Sequence, residues 1–340
     1  MAFTIQFIHA SEETTKEVKT FLEEWKNENA FIEVQTSGST GKPTKVLLEK
    51  EKMLVSAKNT LNYLKIQKNC NALLCLSSTT IAGKMMVIRS IVGELNLIVG
   101  PVNSNPLENI DLPIEFVAMV PMQLKSTLEN SAHKLKNIPS ILIGGGPISP
   151  NLSAALKENN TTVFHTYGMT ETISHVAMRK VGENEEKEFE ALPGITFSEE
   201  NEQLVVHYPA INIDSLKTND QIVLTSQTTF QWIGRTDFII NSGGKKLNPE
   251  EIEDRISELL ETPYFIGSLS DEKFGQKVIL LIESNHSLHV TKEVLRTKLS
   301  NYSLPKEIYY LEHFTRTVSG KINRGLTMQR IGSYVVKEIL

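Results

Sequence analysis

Short apolar runs alternate with helix-type patterns along the first half of the chain. A first strand at Phe3 to Ile8 precedes a helix at Ser11 to Asn27, in which Val18, Phe21 and Trp25 recur at helical spacing. The alternation continues with strands at Ala30 to Val34, Val46 to Leu48, Ala72 to Leu76, Ile98 to Val99, Phe116 to Val120, Ser140 to Ile143 and Thr162 to His165. The intervening helices are predicted at Glu51 to Tyr63, Lys84 to Val92, Met122 to Asn130 and Asn151 to Glu158. This order predicts an α/β fold with a mostly parallel sheet.

The pattern changes after Leu192. Three strands without helices between them predict a β-rich subdomain, at Leu204 to Val206, Gln221 to Leu224 and Phe230 to Ile233. Beyond Asp237 a compact unit has helices at Pro249 to Leu260 and Thr291 to Leu299, and strands at Tyr264 to Leu269, Val278 to Ile282 and Glu307 to Tyr310. We therefore expect a large domain over residues 1–236 and a small α+β domain over residues 237–340.

Composition narrows the class of protein. The 340 residues are 40% hydrophobic and 22% charged, as in ordinary globular proteins, and the net charge of −5 argues against a nucleic-acid partner. The two cysteines, Cys70 and Cys75, are expected to be buried free thiols in a reducing compartment. The sequence shows neither a signal peptide nor a run of about 18 apolar residues, so we expect a cytoplasmic protein without a membrane span.

A Ser/Thr/Gly-rich segment follows the strand at Ala30 to Val34. It reads Thr36-Ser37-Gly38-Ser39-Thr40-Gly41-Lys42-Pro43. Its glycines allow close backbone approach, and its hydroxyls, backbone N–H groups and lysine suit a polyphosphate. The Walker A pattern is excluded because Pro43 stands where that motif has a hydroxyl. A flexible turn is the alternative.

Two further motifs directly follow apolar strands, where parallel sheets bind ligands. Gly144, Gly145, Gly146 and Pro147 would let a flat ring lie against the backbone, although a plain strand-to-helix turn also uses glycine. The second motif is Thr166-Tyr167-Gly168-Met169-Thr170-Glu171-Thr172. It offers a stacking ring, a hydroxyl for phosphate and a carboxylate for Mg²⁺.

Polar motifs of the second half complete the set. Thr218-Asn219-Asp220 and Gly234-Arg235-Thr236-Asp237 supply the carboxylate and guanidinium that suit a ribose diol. Near the C-terminus, Thr317-Val318-Ser319-Gly320-Lys321-Ile322-Asn323-Arg324 places a lysine on a glycine turn.

Taken in order, these motifs resemble the adenylate-forming superfamily of acyl-CoA ligases, luciferases and peptide-synthetase adenylation domains. The resemblance covers nearly the whole chain and rests on TSGSTGKP, GGGP, YGMTET, TND, GRTD followed by SGGKKLNPEEIE, and SGKINR. It implies an ATP-dependent ligase that adenylates a carboxylic acid and transfers the acyl group to CoA. ATP, Mg²⁺ and CoA are therefore the expected small molecules.

The resemblance also implies roles for individual residues. Residues Thr36 to Lys42 match the phosphate loop, and Gly144 to Pro147 with Thr166, Tyr167 and Gly168 match the adenine site. Thr170 and Glu171 match the ligands of the α-phosphate and of Mg²⁺, while Asp220 and Arg235 match the ribose ligands. Lys321 matches the lysine that stabilises the charge developing in adenylation, and Asp237 matches the hinge of a mobile C-terminal lid. Gly243 and Gly244 would line the CoA channel or simply close a turn.

Arg89 bears on the choice of acid. It lies six residues after Gly83 on an otherwise apolar helix, so it either extends to the surface or clamps a second carboxylate. The spacing, with Ser174, Val176 and Ala177 after the YGMTET motif, is similar to o-succinylbenzoate–CoA ligases of menaquinone biosynthesis. The alternatives are an adenylating ligase for another aryl or short acyl acid and a nucleotide-binding module without catalysis.

Some positions depart from the family pattern. Only 35 residues precede the phosphate loop, so we expect a reduced N-terminal region and leave open a homodimer whose partner completes the acyl pocket. Thr80 replaces a frequent histidine and Asn219 a usual glycine. His165 and His175 lie near the expected site without metal-ligand spacing, and His165 fits a structural role better than that of a base.

Overall fold

The computed structural model describes residues 3–36, 44–183, 185–288, 290–317, 321–331 and 336–339. Within these ranges the helices are α1 Glu12–Lys26, α2 Lys50–Tyr63, α3 Ile81–Val92, α4 Pro121–Leu135, α5 Pro150–Glu158, α6 Pro249–Ile256, α7 Lys292–Arg296 and α8 Arg324–Met328. The strands of the first half are β1 Thr4–Phe7, β2 Phe31–Thr36, β3 Thr44–Glu49, β4 Asn71–Leu74, β5 Asn96–Val99, β6 Phe116–Met119, β7 Ser140–Ile143, β8 Thr162–Gly168, β9 His175–Gly182 and β10 Phe189–Ala191. Those of the second half are β11 Thr196–Glu200, β12 Gln203–Tyr208, β13 Ile213–Ser226, β14 Thr229–Arg235, β15 Ile240–Ser242, β16 Lys245–Leu247, β17 Tyr264–Asp271, β18 Gly275–Glu283, β19 Glu307–Leu311 and β20 Val336–Ile339.

A sheet of 12 strands organises the chain up to Arg235. Its order is β1-β5-β4-β6-β7-β8-β9-β10-β14-β13-β12-β11. The pairs from β1 through β8 are parallel, and those from β8 through β11 are antiparallel. The β-rich region therefore extends the same sheet as the strand–helix region.

Helices cover both faces of the parallel half. Alternate residues of β4 point to opposite sides, as a strand requires. Ala72 and Leu74 pack in one apolar cluster with side chains of α1 to α3, whereas Leu73 and the following Cys75 pack in a second cluster with side chains of α4 and α5. Continuous apolar strands between two helical layers are typical of parallel sheets, because both strand faces are buried.

A second sheet begins at Ile240. Its order is β16-β15-β18-β19-β20, with β17 paired to the free side of β18. Ile252 and Ile256 of α6 pack on one face with Leu280, and Phe265 and Phe314 pack together near the other. Asn248 caps α6 by accepting a hydrogen bond from the Glu250 backbone N–H at 3.0 Å.

Helix α1 packs against α3 near the expected acyl pocket. Lys84 of α3 is buried between the Glu24 carboxylate, at 3.2 Å, and the Phe21 ring, 4.3 Å from the ring centre. Ser77, which precedes α3, donates to the Glu17 carboxylate at 2.7 Å. The N-terminal helix therefore helps to hold the helix that carries Arg89.

The predicted α/β class is confirmed, and most predicted elements of the first half are present within a few residues. The sequence pattern missed β9 and β10, which join the two halves of the large sheet, and the edge strand β11. In β9 the apolar residues stand next to Arg179 and Lys180, so no period of two is visible. Helix α7 ends at Arg296, earlier than Leu299, and the expectation of two buried thiols was wrong for Cys70, which is only half-buried. Within the described ranges, no helix combines the length and apolar character needed to cross a membrane.

Candidate active site

The three-glycine turn lies at the carboxyl end of β7. A Cβ atom on Gly144 would lie 2.7 Å from the Thr166 Oγ1, and Gly145 has a φ of +83°, which side chains rarely adopt. Thr166 donates from this hydroxyl to the Ile143 carbonyl at 3.1 Å. Strand β8 thus places the start of the Thr166 motif directly beside the glycine turn.

His165 supports this turn from within the protein. Its Nε2 lies 3.1 Å from the Gly146 carbonyl, and its Nδ1 lies 3.4 Å from the Arg179 Nε, which donates. One neutral tautomer, protonated on Nε2, satisfies both contacts. Burial and then the charge of Arg179 lower the pKa of His165 to about 3. The geometry gives His165 a structural role, in agreement with the sequence interpretation.

Tyr167 of β8 converges with Asp220 and Arg235, which lie on the adjacent strands β13 and β14. The Tyr167 hydroxyl donates to the Asp220 Oδ2 at 2.6 Å, and the Trp232 Nε1 donates to its Oδ1 at 3.1 Å. The Arg235 Nη1 lies 3.7 Å from Asp220, and its Nη2 lies 2.5 Å from the Asp237 carboxylate. Burial and the Asp220 charge raise the pKa of Tyr167 well above its usual value.

A tight turn follows Gly168 and carries Thr170 and Glu171. Thr172 closes the turn, because its hydroxyl contacts the Met169 N–H, the Met169 carbonyl and the Ser174 carbonyl. Ile173 has a φ of +68°, a strained value for a β-branched residue. The Glu171 side chain is exposed, and within the described part of the chain it has no hydrogen-bond partner. A carboxylate held in this way is available to a cation.

Lys321 lies at the same place although it is distant in sequence. A Cβ on Gly145 would lie 3.8 Å from the Lys321 Cε. Desolvation, and then the charge of Arg235, lower the pKa of Lys321, while Asp220 opposes this shift. Lys321, which lies between β19 and α8, therefore faces the glycine turn at the end of β7.

Arg324 anchors the segment that carries Lys321. It donates to the Glu253 carboxylate at 2.8 Å, and its guanidinium lies 5.0 Å from the Phe238 ring centre and 5.4 Å from that of Phe265. Glu253 also accepts from the Ile266 N–H at 2.7 Å. Burial raises the pKa of Glu253 to about 7, although Arg324 opposes the shift. No local sequence pattern points to this pair, whose members are 71 residues apart.

Arg89 is buried on α3, so the alternative in which it extends to the surface is excluded. Its side chain is 2% exposed, and its Nη2 donates to the Ser174 Oγ at 2.7 Å. Its Nε has no hydrogen-bond partner, and no acidic side chain pairs with it in the described ranges. Burial lowers the pKa of Arg89 to about 9. Such a cation is costly unless it is paired, which points to an anionic ligand.

The remaining predicted residues lie apart from this cluster or are not described. Gly243 and Gly244 have φ values of +57° and +78° and form the two-residue turn between β15 and β16. Thr80 caps α3 by accepting from the Gly83 N–H at 3.3 Å, and Pro147 follows the glycine turn. The phosphate-loop residues Ser37, Gly38, Ser39, Thr40, Gly41 and Lys42 lie outside the described residues, between β2 and β3. The backbone of Thr36 ends β2.

The chain belongs to the family of AMP-binding enzymes, whose model matches residues 6–203. It is 33% identical to an acyl-CoA synthetase (AMP-forming)/AMP-acid ligase II-like protein from Dyadobacter fermentans, with a TM-score of 0.62 over 94% of this chain and 95% of that one. The predicted membership of the adenylate-forming superfamily is confirmed.

The names of two further relatives specify the same acid, o-succinylbenzoate. A 2-succinylbenzoate–CoA ligase from Listeria innocua is 26% identical over 87% of this chain and 69% of its own length. The O-succinylbenzoate coenzyme A synthetase of Bacillus subtilis, in complex with ATP and magnesium ion, has the same fold. Its TM-score is 0.76 at 21% identity, over 87% of this chain and 69% of that one.

Proposed function

We propose that the chain is an AMP-forming acid–thiol ligase that converts o-succinylbenzoate to o-succinylbenzoyl-CoA, a step of menaquinone biosynthesis. The observation that carries the reaction is the convergence of Tyr167, Asp220, Arg235 and Lys321 at one glycine turn. The observation that supports this acid is Arg89, a buried guanidinium with no acidic partner among the described residues. The names of the Listeria and Bacillus relatives support both.

In this proposal the glycine turn and Tyr167 bind adenine, while Asp220 and Arg235 bind the ribose. The Asp220 carboxylate has about four acceptor sites, and the protein's donors Tyr167 and Trp232 use two of them. Two acceptor sites remain for the hydroxyls of a diol. The phosphate loop, Thr36 to Lys42, binds the β- and γ-phosphates.

The residues present fit a magnesium ion that binds together with ATP. No group of three or more potential metal ligands is assembled among the described residues. Mg²⁺ needs only one or two carboxylates when phosphate oxygens complete its coordination. Glu171 supplies the free carboxylate and Thr170 a nearby hydroxyl. The ion would neutralise negative charge on the phosphates.

The first half-reaction forms a bond between a substrate carboxylate oxygen and the α-phosphorus, and it breaks the bond to the leaving pyrophosphate. Lys321 donates hydrogen bonds to the oxygens on which charge accumulates. In the second half-reaction the CoA sulfur forms a bond to the acyl carbon, the bond from that carbon to the AMP oxygen breaks, the thiol proton passes to solvent, and AMP leaves. We propose that the segment from Ile240 rotates about Asp237 between the two steps, with Gly243 and Gly244 facing the CoA thiol.

Arg89 defines the acid in this proposal. A guanidinium binds a carboxylate through two parallel hydrogen bonds, and its buried Nε is an unused donor. A monocarboxylic acid would leave this cation without a partner. O-Succinylbenzoate has one carboxylate to activate and a second one for Arg89.

A cytoplasmic location and a homodimer are also part of the proposal. Cys70 and Cys75 are free thiols, which fits a reducing compartment. Cell fractionation tests the location, and sedimentation of the purified protein at several concentrations tests the dimer.

The test measures pyrophosphate release with ATP, Mg²⁺ and o-succinylbenzoate, with and without CoA. We expect turnover by the wild type and an about 100- to 1,000-fold lower adenylation rate for Lys321→Ala. Lys292→Ala, in α7 outside the site, is the matched control. Arg89→Ala should raise the KM for o-succinylbenzoate about 100-fold, and Arg89→Lys should restore little because its ammonium lacks the planar fork.

Each outcome bears on a separate part of the proposal. Turnover with benzoates or fatty acids instead of o-succinylbenzoate would refute the acid and keep the reaction. ATP binding without pyrophosphate release for any acid would favour a module without catalysis.

A further inference from the structure

A chain of four polar side chains runs from Arg89 into the protein. The Arg89 Nη2 lies 2.7 Å from the Ser174 Oγ, which lies 3.4 Å from the His175 Nδ1. The His175 Nε2 lies 2.9 Å from the Thr60 Oγ1, which donates to the Ser56 carbonyl at 3.1 Å. Arg89, His175 and Thr60 are buried, and Ser174 is half-buried.

With a neutral His175 ring, one arrangement of protons satisfies every contact among these four side chains. Arg89 has no acceptor atom, so it donates to Ser174. The Ser174 proton then points to Nδ1 of His175, and the proton on Nε2 points to Thr60. Thr60 can accept it because its own proton goes to the Ser56 carbonyl. The neutral ring is therefore protonated on Nε2 and has an acceptor at Nδ1. Desolvation and the charge of Arg89 lower its pKa well below the usual value, which fits this form.

The hydrogen bonds among these four side chains orient the guanidinium of Arg89. With its hydroxyl proton directed to His175, Ser174 is held with its lone pairs turned toward Arg89. One nitrogen of Arg89 is thus held by Ser174, while its Nε keeps no partner. A His175 ring with its proton on Nδ1 would instead donate to Ser174, whose own hydroxyl proton would then lose this partner.

We propose that His175 and Thr60 are positioning residues for acid specificity: they hold Ser174 as an acceptor and thereby orient Arg89 toward the second carboxylate of the substrate. This inference rests on the proposed function and deepens it. Neither residue was assigned a role by the sequence analysis, which noted His175 only for its proximity to the site.

The test compares KM and kcat for o-succinylbenzoate, and KM for ATP, in variants of similar shape. Thr60→Val keeps the packing but removes the acceptor for the His175 Nε2–H, and Thr60→Ser restores that acceptor. We expect a roughly tenfold higher KM for o-succinylbenzoate in Thr60→Val. KM for ATP and kcat should stay within about twofold, and Thr60→Ser should resemble the wild type.

Variants of His175 separate its two nitrogens. Asparagine places an amide oxygen where Nδ1 lies, whereas glutamine places its amide near the position of Nε2. His175→Asn should therefore retain more of the affinity for o-succinylbenzoate than His175→Gln. Nitrogen-15 chemical shifts of His175 should report a proton on Nε2 in the wild type and a mixture of tautomers in Thr60→Val.

The outcomes separate this inference from the function beneath it. If wild-type protein shows no turnover of o-succinylbenzoate, the proposed acid and this inference both fall. If the wild type turns it over and Thr60→Val has an unchanged KM, the inference alone is overturned. Equal increases in the KM for the acid and for ATP would indicate a merely structural role and would also overturn it.

Discussion

Replacing Asp220 with asparagine tests the nucleotide site most directly. Both carboxylate oxygens are engaged, at 2.6 Å by the Tyr167 hydroxyl and at 3.1 Å by the Trp232 Nε1. In Asp220→Asn the amide oxygen must face Trp232, because an indole N–H can only donate. The amide nitrogen then faces Tyr167, whose hydroxyl can accept. The substitution therefore keeps the local hydrogen bonds and removes the charge.

The expected loss of affinity follows from this geometry. A hydrogen bond to a charged group contributes about 1.5–3 kcal/mol, against about 1 kcal/mol for a neutral one. Converting two diol contacts from charged to neutral acceptors, with one acceptor lost to the amide nitrogen, removes about 2 kcal/mol. This corresponds to about 30-fold weaker ATP binding. Arg235 keeps its ion pair with Asp237, so the stability of the fold should decrease by only about 1 kcal/mol.

Calorimetric titration with ATP and with 2′,3′-dideoxy-ATP isolates the role of the diol. ATP should bind about 30-fold more weakly to Asp220→Asn than to the wild type. The dideoxy analogue should bind the two proteins nearly equally, because it lacks the hydroxyls that the carboxylate would accept. Asp214→Asn, an exposed position on the same strand β13, is the matched control and should behave as the wild type.

Equal losses for both nucleotides would refute the reasoning. Asp220 would then support Tyr167 and Trp232 without contacting the ribose. An unchanged affinity for ATP would remove Asp220 from the nucleotide site altogether.

Two further predictions concern stability. The pKa of Glu253 is about 7 in the folded chain and about 4.3 in the unfolded chain. Because the folded chain holds the proton more tightly, the free energy of unfolding decreases as the pH rises from 4.3 through 7. As the pH rises from 5 to 8, the free energy of unfolding of Glu253→Gln, measured with denaturant, should increase by about 2–3 kcal/mol relative to that of the wild type. The Lys134 ammonium donates to the carbonyls of Leu107, Glu108 and Ile110 at 3.0, 2.8 and 2.9 Å. Lys134→Met should therefore lower the free energy of unfolding by about 2 kcal/mol.

Each stability prediction has a neighbour as its control. Glu251→Gln, on the exposed side of α6, should leave the pH dependence of the free energy of unfolding as it is in the wild type. If the free energy of unfolding has the same slope against pH in Glu253→Gln and in the wild type, the raised pKa of Glu253 is contradicted. Lys125→Met, exposed on α4, should change stability by less than about 0.5 kcal/mol. If Lys134→Met lowers the free energy of unfolding as little as Lys125→Met does, water satisfies the three carbonyls as well as the ammonium does.

The order of the motifs and the α/β class could be derived from the sequence alone. Apolar strands such as Ser140–Ile143 are short and bounded by glycine or proline, and their character does not depend on distant partners. The residues that follow these strands predict a ligand-binding site, because the carboxyl ends of parallel strands lie at one edge of a sheet. Local pattern was therefore enough to identify Tyr167 and the glycine turn.

Contacts between distant residues could be decided only by the tertiary structure. Whether Arg89 reaches the surface depends on what packs around α3, and the sequence left both alternatives open. Burial settles this, because the structure surrounds Arg89 with Ser174 and His175, about 85 residues further along the chain. The Arg324–Glu253 pair and the Thr60–His175 contact likewise join residues 71 and 115 positions apart. Hydrogen bonding and desolvation act through space, so no local pattern of residues could reveal them.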